Sequence, residues 1–217
     1  MLRLHGYWRS SAAYRVRIAL NLKGVPFEQT VHDLRTGAQH APAYRALAPH
    51  DLVPALETGD GVLIESPAIL EWLEERWPTP ALLPADGAGR ARVRAMAALI
   101  ACDIHPLNNL RVLDTLRSEF GADQARIEAW IARWIGDGFR ALEVLVRDHG
   151  RGFAFGDRPT LADCCLAPQV YSAERFKVDL TPFPAIQAAA AQARALPAFQ
   201  AAAPERQPDA PEADTPR

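Results

Sequence analysis

The sequence predicts a mixed α/β domain over residues 1–80, an all-helical domain over 85–203 and a disordered tail over 204–217. Three observations carry this reading. Leu2 and Leu4 alternate with Arg3 and His5 as in a short strand, and a helical stretch and a second β-rich run follow almost at once. Two more β-prone runs flank Thr58-Gly59-Asp60-Gly61, the chemistry of a hairpin turn. Beyond the Pro- and Gly-rich stretch 78–89, which reads as a linker, almost all of the chain follows a helical pattern.

Taken in order, Ser11 precedes a helix with Val16, Ala19 and Leu20 at helical spacing, and Gly24 stands as its C-terminal stop. The run 25–31 is the second strand. A strand–helix–strand unit this short predicts parallel strands joined by a right-handed crossover. Residues 35–48 read as an irregular helix, and 53–57 with 62–65 as the arms of the hairpin. Ser66-Pro67 then sets a cap residue before a proline at the first helical position, and Pro78 stops that helix. In the second half Ile127, Trp130, Ile131, Trp134, Ile135, Phe139, Leu142 and Val146 trace one apolar stripe, which places both tryptophans in the core. Thr160 with Asp163 forms a capping box ahead of a helix from Leu161, in which Cys164 and Cys165 read as packing residues.

Composition narrows the function. The chain has 217 residues, 49% of them hydrophobic and 23% charged, with a net charge of −2. A core of useful size can be buried, and no positive field draws nucleic acid or an anionic membrane surface. No apolar run approaches the ~20 residues of a spanning helix. Met1-Leu2-Arg3 enters the first strand with no signal-peptide core behind it. Three cysteines without a C-x-x-C spacing fit a reducing compartment. The expectation is a cytoplasmic protein with no nucleic-acid or membrane partner and no metal.

Chemistry-bearing residues gather at strand-to-helix junctions, where helix N-termini offer unpaired N–H groups to anions. Ser10 and Ser11 stand at the first; they read equally well as helix caps. Val53-Pro54 opens the third strand, where a cis bond would turn the Val53 backbone toward an extended ligand; an ordinary trans proline is the alternative. Glu65 and Ser66 form the next junction, suited to an α-ammonium and an α-carboxylate, or again to capping alone. Pro106 interrupts a helical pattern and gathers His105, Asn108, Asn109 and Arg111 around a kink.

Ser10-Ser11-x-x-Tyr14-Arg15-Val16-Arg17-Ile18-Ala19-Leu20 resembles the signature of the zeta-class glutathione transferases, the maleylacetoacetate isomerases. So do residues 52–56, 65–71, 109–113 and 173–182, in matching order from about Leu2 to Pro208. The stretches 102–106 and 120–123 are also similar to bacterial maleylpyruvate isomerases. The resemblance implies a thioredoxin-like N-terminal domain, a helical C-terminal domain and a homodimer. It implies glutathione as cofactor, contacted by Ser10, Ser11, Gln39, Val53, a cis Pro54, Glu65 and Ser66, with His105 and Asn109 nearby. It assigns catalysis to Ser10, Ser11 and Arg175, a substrate carboxylate to Arg175, and positions near glutathione or substrate to His105 and Arg111; Arg9, with His105 and Arg111, is a weaker candidate for the same electropositive pocket. Ala12 stands where the family motif has cysteine, so the reacting sulfur must come from glutathione, with Ser10 or Ser11 stabilising its thiolate. The implied reaction is cis–trans isomerisation of maleylacetoacetate or maleylpyruvate by reversible thiolate addition. Two rivals remain: a general transferase conjugating electrophiles, and a non-catalytic binding module.

Overall fold

A computed structural model describes residues 1–211. The chain divides into two compact units, Met1–Ala81 with Ala195–Arg217, and Leu82–Arg194.

The first unit opens with β1 (Leu2–Gly6), α1 (Ser11–Leu22) and β2 (Phe27–Val31). The predicted irregular helix resolves into a 3-10 turn, Ala38–His40, and the short α2 (Pro42–Leu47). Then come the hairpin strands β3 (Ala55–Thr58) and β4 (Gly61–Ile64), and α3 (Ser66–Arg76). Sheet order is β2-β1-β3-β4; β1 is parallel to β2, as expected of strands joined by a helical crossover, and antiparallel to β3. Gly24 has φ +63° just past α1, the left-handed stop read from sequence. The cap is not Ser11 but Ser10, whose hydroxyl accepts the Ala13 N–H at 3.2 Å. Nor does α1 bury a simple apolar stripe: Ala12 through Leu20 are all buried, Arg15 and Arg17 among them. Buried Lys23 is satisfied by Glu74 of α3 and by the Pro80 carbonyl at 2.7 Å. The Val53–Pro54 bond is cis, as is Thr79–Pro80.

The second unit is helical: α4 (Gly87–Ala98), α5 (Leu110–Ser118), α6 (Gln124–His149), α7 (Leu161–Arg175) and α8 (Pro184–Arg194). Among the described residues no helix is long and apolar enough to cross a membrane. The linker reading of 78–89 overran its end, because Asp86 caps the Gly89 N–H at 2.8 Å and starts α4. After α4 the backbone widens into a π-helical turn, Leu99–Ile104, and tightens into a 3-10 turn, His105–Asn108. Pro106 cannot donate to the ladder, so the helix breaks where the sequence placed the kink.

Gly138 of α6 lets this break pack closely. A Cβ there would lie 2.2 Å from Cγ1 of the fully buried Ile104. Gly138→Ala is expected to destabilise the protein by about 1–3 kcal/mol through overpacking. A lower denaturation midpoint at unchanged m-value is the check; an unchanged midpoint would mean that Ile104 has room to move.

The Thr160–Asp163 capping box opens α7 as predicted. Fully buried Asp163 accepts from Ala154 N at 2.7 Å, Thr160 N at 2.8 Å and Thr160 Oγ1 at 2.9 Å. Burial outweighs these donors and pushes the carboxyl up to about 6. Between the unfolded value of about 4 and this folded value, the native state holds the extra proton, so stability falls as pH rises. The melting temperature of the wild type minus that of Asp163→Asn should therefore drop by roughly 5 °C from pH 4 to 6 and then level. A flat difference would mean that Asp163 ionises normally in the fold.

The chain then returns to the first unit as α9 (Pro197–Ala202), which packs on α1, and a 3-10 turn, Pro204–Arg206. Two boundaries therefore change. The helical unit ends at Arg194, and residues 204–211 are not a disordered tail: Pro204 and Gln207 are buried. Residues 212–217 lie outside the described part.

Candidate functional site

Within the first unit the sites read from sequence lie at the helix-entry end of the sheet. Ser10 and Ser11 occupy the junction of β1 and α1, both half-buried, with the first-turn N–H groups of α1 beside them. Because the Ser10 oxygen accepts from Ala13, its own O–H remains to be donated. The cap reading and the ligand reading of Ser10 are thus compatible. Ala12 is buried and carries no thiol. Arg9 is half-buried, its guanidinium over the Trp8 ring at 5.2 Å from the centroid.

Ser66 behaves differently. Residue 65, not 66, is the N-cap of α3, and no side chain caps that helix. The buried Ser66 hydroxyl accepts instead from the buried Arg15 guanidinium at 3.2 Å. A positive charge thus lies beneath a helix N-terminus, and the Ser66 O–H is left to donate: a carboxylate-binding arrangement. Exposed Glu65 holds φ +66°, a conformation rare outside glycine and concentrated at functional positions.

Gln39 and Val53 come from a segment tied together by side chains. Gln39 Nε2 meets His40 Nε2 at 3.0 Å, and His40 Nδ1 meets Asp51 at 3.1 Å. Arg45 grips the same carboxylate at 2.7 Å. Tyr44 donates to the Leu52 carbonyl at 2.6 Å, next to Val53. Among the described residues the buried Gln39 Oε1 has no hydrogen-bond partner, which makes it an acceptor suited to a ligand N–H. Beneath Tyr44, His5 bridges His32 at 2.9 Å and Glu57 at 2.6 Å. Burial, with His5 alongside, holds His32 below its ordinary range, and the His5 bond holds Glu57 low.

The second unit carries the other four. His105 opens the 3-10 turn, and Trp130 Nε1 donates to the Leu107 carbonyl at 2.8 Å. Trp130 and Trp134 are only half-buried, so the core reading of the stripe was too simple for them. Asn109 caps α5 by accepting the Arg111 N–H at 3.2 Å, and Arg111 is exposed in the first turn. Arg175 ends α7, with its guanidinium 4.0 Å from the centroid of the Phe176 ring.

The sequence does not announce that Arg15 and Arg17 are buried beside the strand-to-helix junctions, Arg15 against Ser66. Arg15 and Arg17 lay inside the family-like motif, yet charged residues on a helix ordinarily read as a solvated face.

Residues 9–76 match the family described as "Glutathione S-transferase, N-terminal domain", and residues 128–202 match "Glutathione S-transferase, C-terminal domain". A maleylpyruvate isomerase from a Ralstonia species is 58% identical over 96% of this chain and 99% of its own. A solved holo structure, described as maleyl pyruvate isomerase, a bacterial glutathione S-transferase in the zeta class, superposes with a TM-score of 0.94. It is 56% identical and covers 96% of this chain and 100% of its own. The chain belongs to the zeta-class glutathione transferases. Another relative is the maleylacetoacetate isomerase of Pseudomonas aeruginosa, 51% identical over 98% of this chain and all of its own. The maleylacetoacetate isomerase of Anaeromyxobacter dehalogenans, solved with bound glutathione, gives a TM-score of 0.89 at 48% identity, covering 97% of this chain and 98% of that one.

Proposed function

We propose that this zeta-class transferase is a glutathione-dependent cis–trans isomerase of maleylpyruvate-type dicarboxylates, with maleylacetoacetate the second candidate. The observation that carries it is the intact Ser10-Ser11 junction in a chain 58% identical to a maleylpyruvate isomerase along nearly its whole length.

The residues present fit glutathione. The Gln39 oxygen lacks a partner among the described residues, the Ser66 hydroxyl is backed by buried Arg15, and the α1 N-terminus carries a hydroxyl with its proton to give. When bound, glutathione supplies a thiolate that adds reversibly to the conjugated double bond and so permits rotation. Ser10 donates its O–H to the sulfur and, with the positive end of α1, holds the thiol ionised below its ordinary value of about 8.5. Ser11 is the alternative donor at the same junction. Ser66, Glu65, Gln39 and the Val53 backbone hold the rest of the peptide; family resemblance adds His105 and Asn109 as candidates for glutathione binding. Arg175, assisted by Arg9, His105 and Arg111, takes the substrate carboxylates and balances charge developing on the carbonyl oxygen.

The test is isomerisation of maleylpyruvate and maleylacetoacetate with glutathione at catalytic concentration, beside consumption of a chloronitrobenzene. Turnover is expected with the glutathione concentration unchanged. Stoichiometric loss of glutathione, or full turnover by thiol-free protein, would overturn the reading. Family resemblance further supports a cytoplasmic homodimer, checked in solution by light scattering at twice the chain mass.

A further inference from the structure

We propose that the segment 207–210 clamps the thiolate site, with Asp209 as a positioning residue for Ser10. This rests on the glutathione reading above and adds to it a part of the chain that composition alone would discard.

The loop between β1 and α1 is gripped on two of its carbonyls and on an N–H. Buried Arg17 donates to the Trp8 carbonyl at 2.9 Å, the Tyr7 carbonyl at 3.4 Å and, from Nε, the Ala202 carbonyl of α9 at 3.0 Å. Ser10 N donates back to the Tyr7 carbonyl at 3.0 Å. On the other side, the Trp8 N–H donates to Asp209 Oδ2 at 2.8 Å. Trp8 is only 5% exposed, so water is a poor substitute for that acceptor.

Asp209 is itself held in place. Buried Gln207 donates to the Ala201 and Ala203 carbonyls at 3.0 and 2.8 Å and accepts from Gln29 of β2 at 3.1 Å. Ala210 packs against the cluster of Tyr7, Trp8, Tyr44 and Val53. The segment is thereby pinned to β2, to α9 and to the loop, and the carboxylate meets the loop two residues before Ser10.

The functional consequence follows from tolerance. A hydroxyl-to-sulfur hydrogen bond weakens steeply with misalignment, and a shift of about 1 Å at a reacting group can cost ~10²-fold in rate. A staple serving stability alone would lower the melting temperature and leave the sulfur's environment unchanged.

The experiment follows the far-ultraviolet thiolate absorbance of bound glutathione against pH in wild type, Asp209→Ala, Asp209→Asn and Asp209→Glu. Affinity for S-methylglutathione, which has no thiol, is measured in parallel. Asp209→Ala is expected to raise the bound thiol's pKa by about one unit, equivalent to losing one charge-assisted hydrogen bond. S-methylglutathione affinity should change by less than about 3-fold, because Gln39 and Ser66 are untouched. Asp209→Asn keeps an acceptor for the Trp8 N–H and should recover most of the shift; Asp209→Glu, one methylene longer, should not. An unchanged thiol pKa in the alanine variant overturns the clamp, as does a shift matched by an equal loss of S-methylglutathione affinity. If the alanine variant does not fold, the Asn and Glu variants decide alone: a shift in Glu but not Asn supports the clamp, and identical profiles overturn it. Wild-type protein giving no thiolate band with glutathione would sink the glutathione reading itself.

Discussion

Ser10→Ala is expected to cut glutathione-dependent isomerisation by about 10²-fold or more, the usual scale for removing one donor from a developing anion. The Ser10 oxygen accepts the Ala13 N–H while its O–H is the group proposed to face sulfur, so the alanine variant loses two things at once. Loss of the cap costs about 1 kcal/mol of stability, and loss of the donor raises the thiol's pKa. Two further variants separate them. Ser10→Gly caps nearly as well as serine and should keep the melting temperature while losing the turnover. Ser10→Thr retains both hydroxyl functions and should recover most of the activity. Ser11, at the first helical position, is the control. If Ser11→Ala abolishes the thiolate absorbance and Ser10→Ala only lowers stability, the sulfur-facing role belongs to Ser11.

Arg175→Ala is expected to raise KM for the dicarboxylate by about 10- to 100-fold, the scale of a hydrogen bond to a charged partner, with glutathione affinity near normal. The simplest alternative is a surface ion pair with Glu174, worth ~0–1 kcal/mol and without kinetic consequence. In the fold Glu174 is engaged through both carboxylate oxygens by Arg194, at 2.9 and 3.0 Å. The Arg175 guanidinium lies over the Phe176 ring, which orients a planar fork in a way that an ammonium cannot reproduce. Arg175→Lys should therefore recover only part of the loss. Turnover of a chloronitrobenzene, which carries no carboxylate, should barely change. Equal impairment with both substrates, or an unchanged KM for the dicarboxylate, would make Arg175 structural.

Local signals were enough for most of the architecture. The β1–α1–β2 unit, the hairpin at Thr58–Gly61, the capping box at Thr160–Asp163 and the long stripe of α6 each follow from periodicity or turn chemistry. The Ser10-Ser11 and Glu65-Ser66 junctions were legible for the same reason, since a strand, a cap residue and a helix start stand side by side in the chain.

What the sequence could not decide is which polar groups are buried and against whom. Arg15 meets Ser66 across 51 residues, Arg17 reaches Ala202 across 185, and Trp8 donates to Asp209 across 201. Ser66 reads as a cap until Arg15 is seen beneath it, and Pro, Ala, Asp and Glu read as disorder until Gln207 and Asp209 find acceptors and donors on the first unit. Turn and period signals are short-range because they reflect the backbone's own sterics and hydrogen bonds. The cost of burying an arginine or a carboxylate is set by its partners, and those partners are chosen only when distant segments pack.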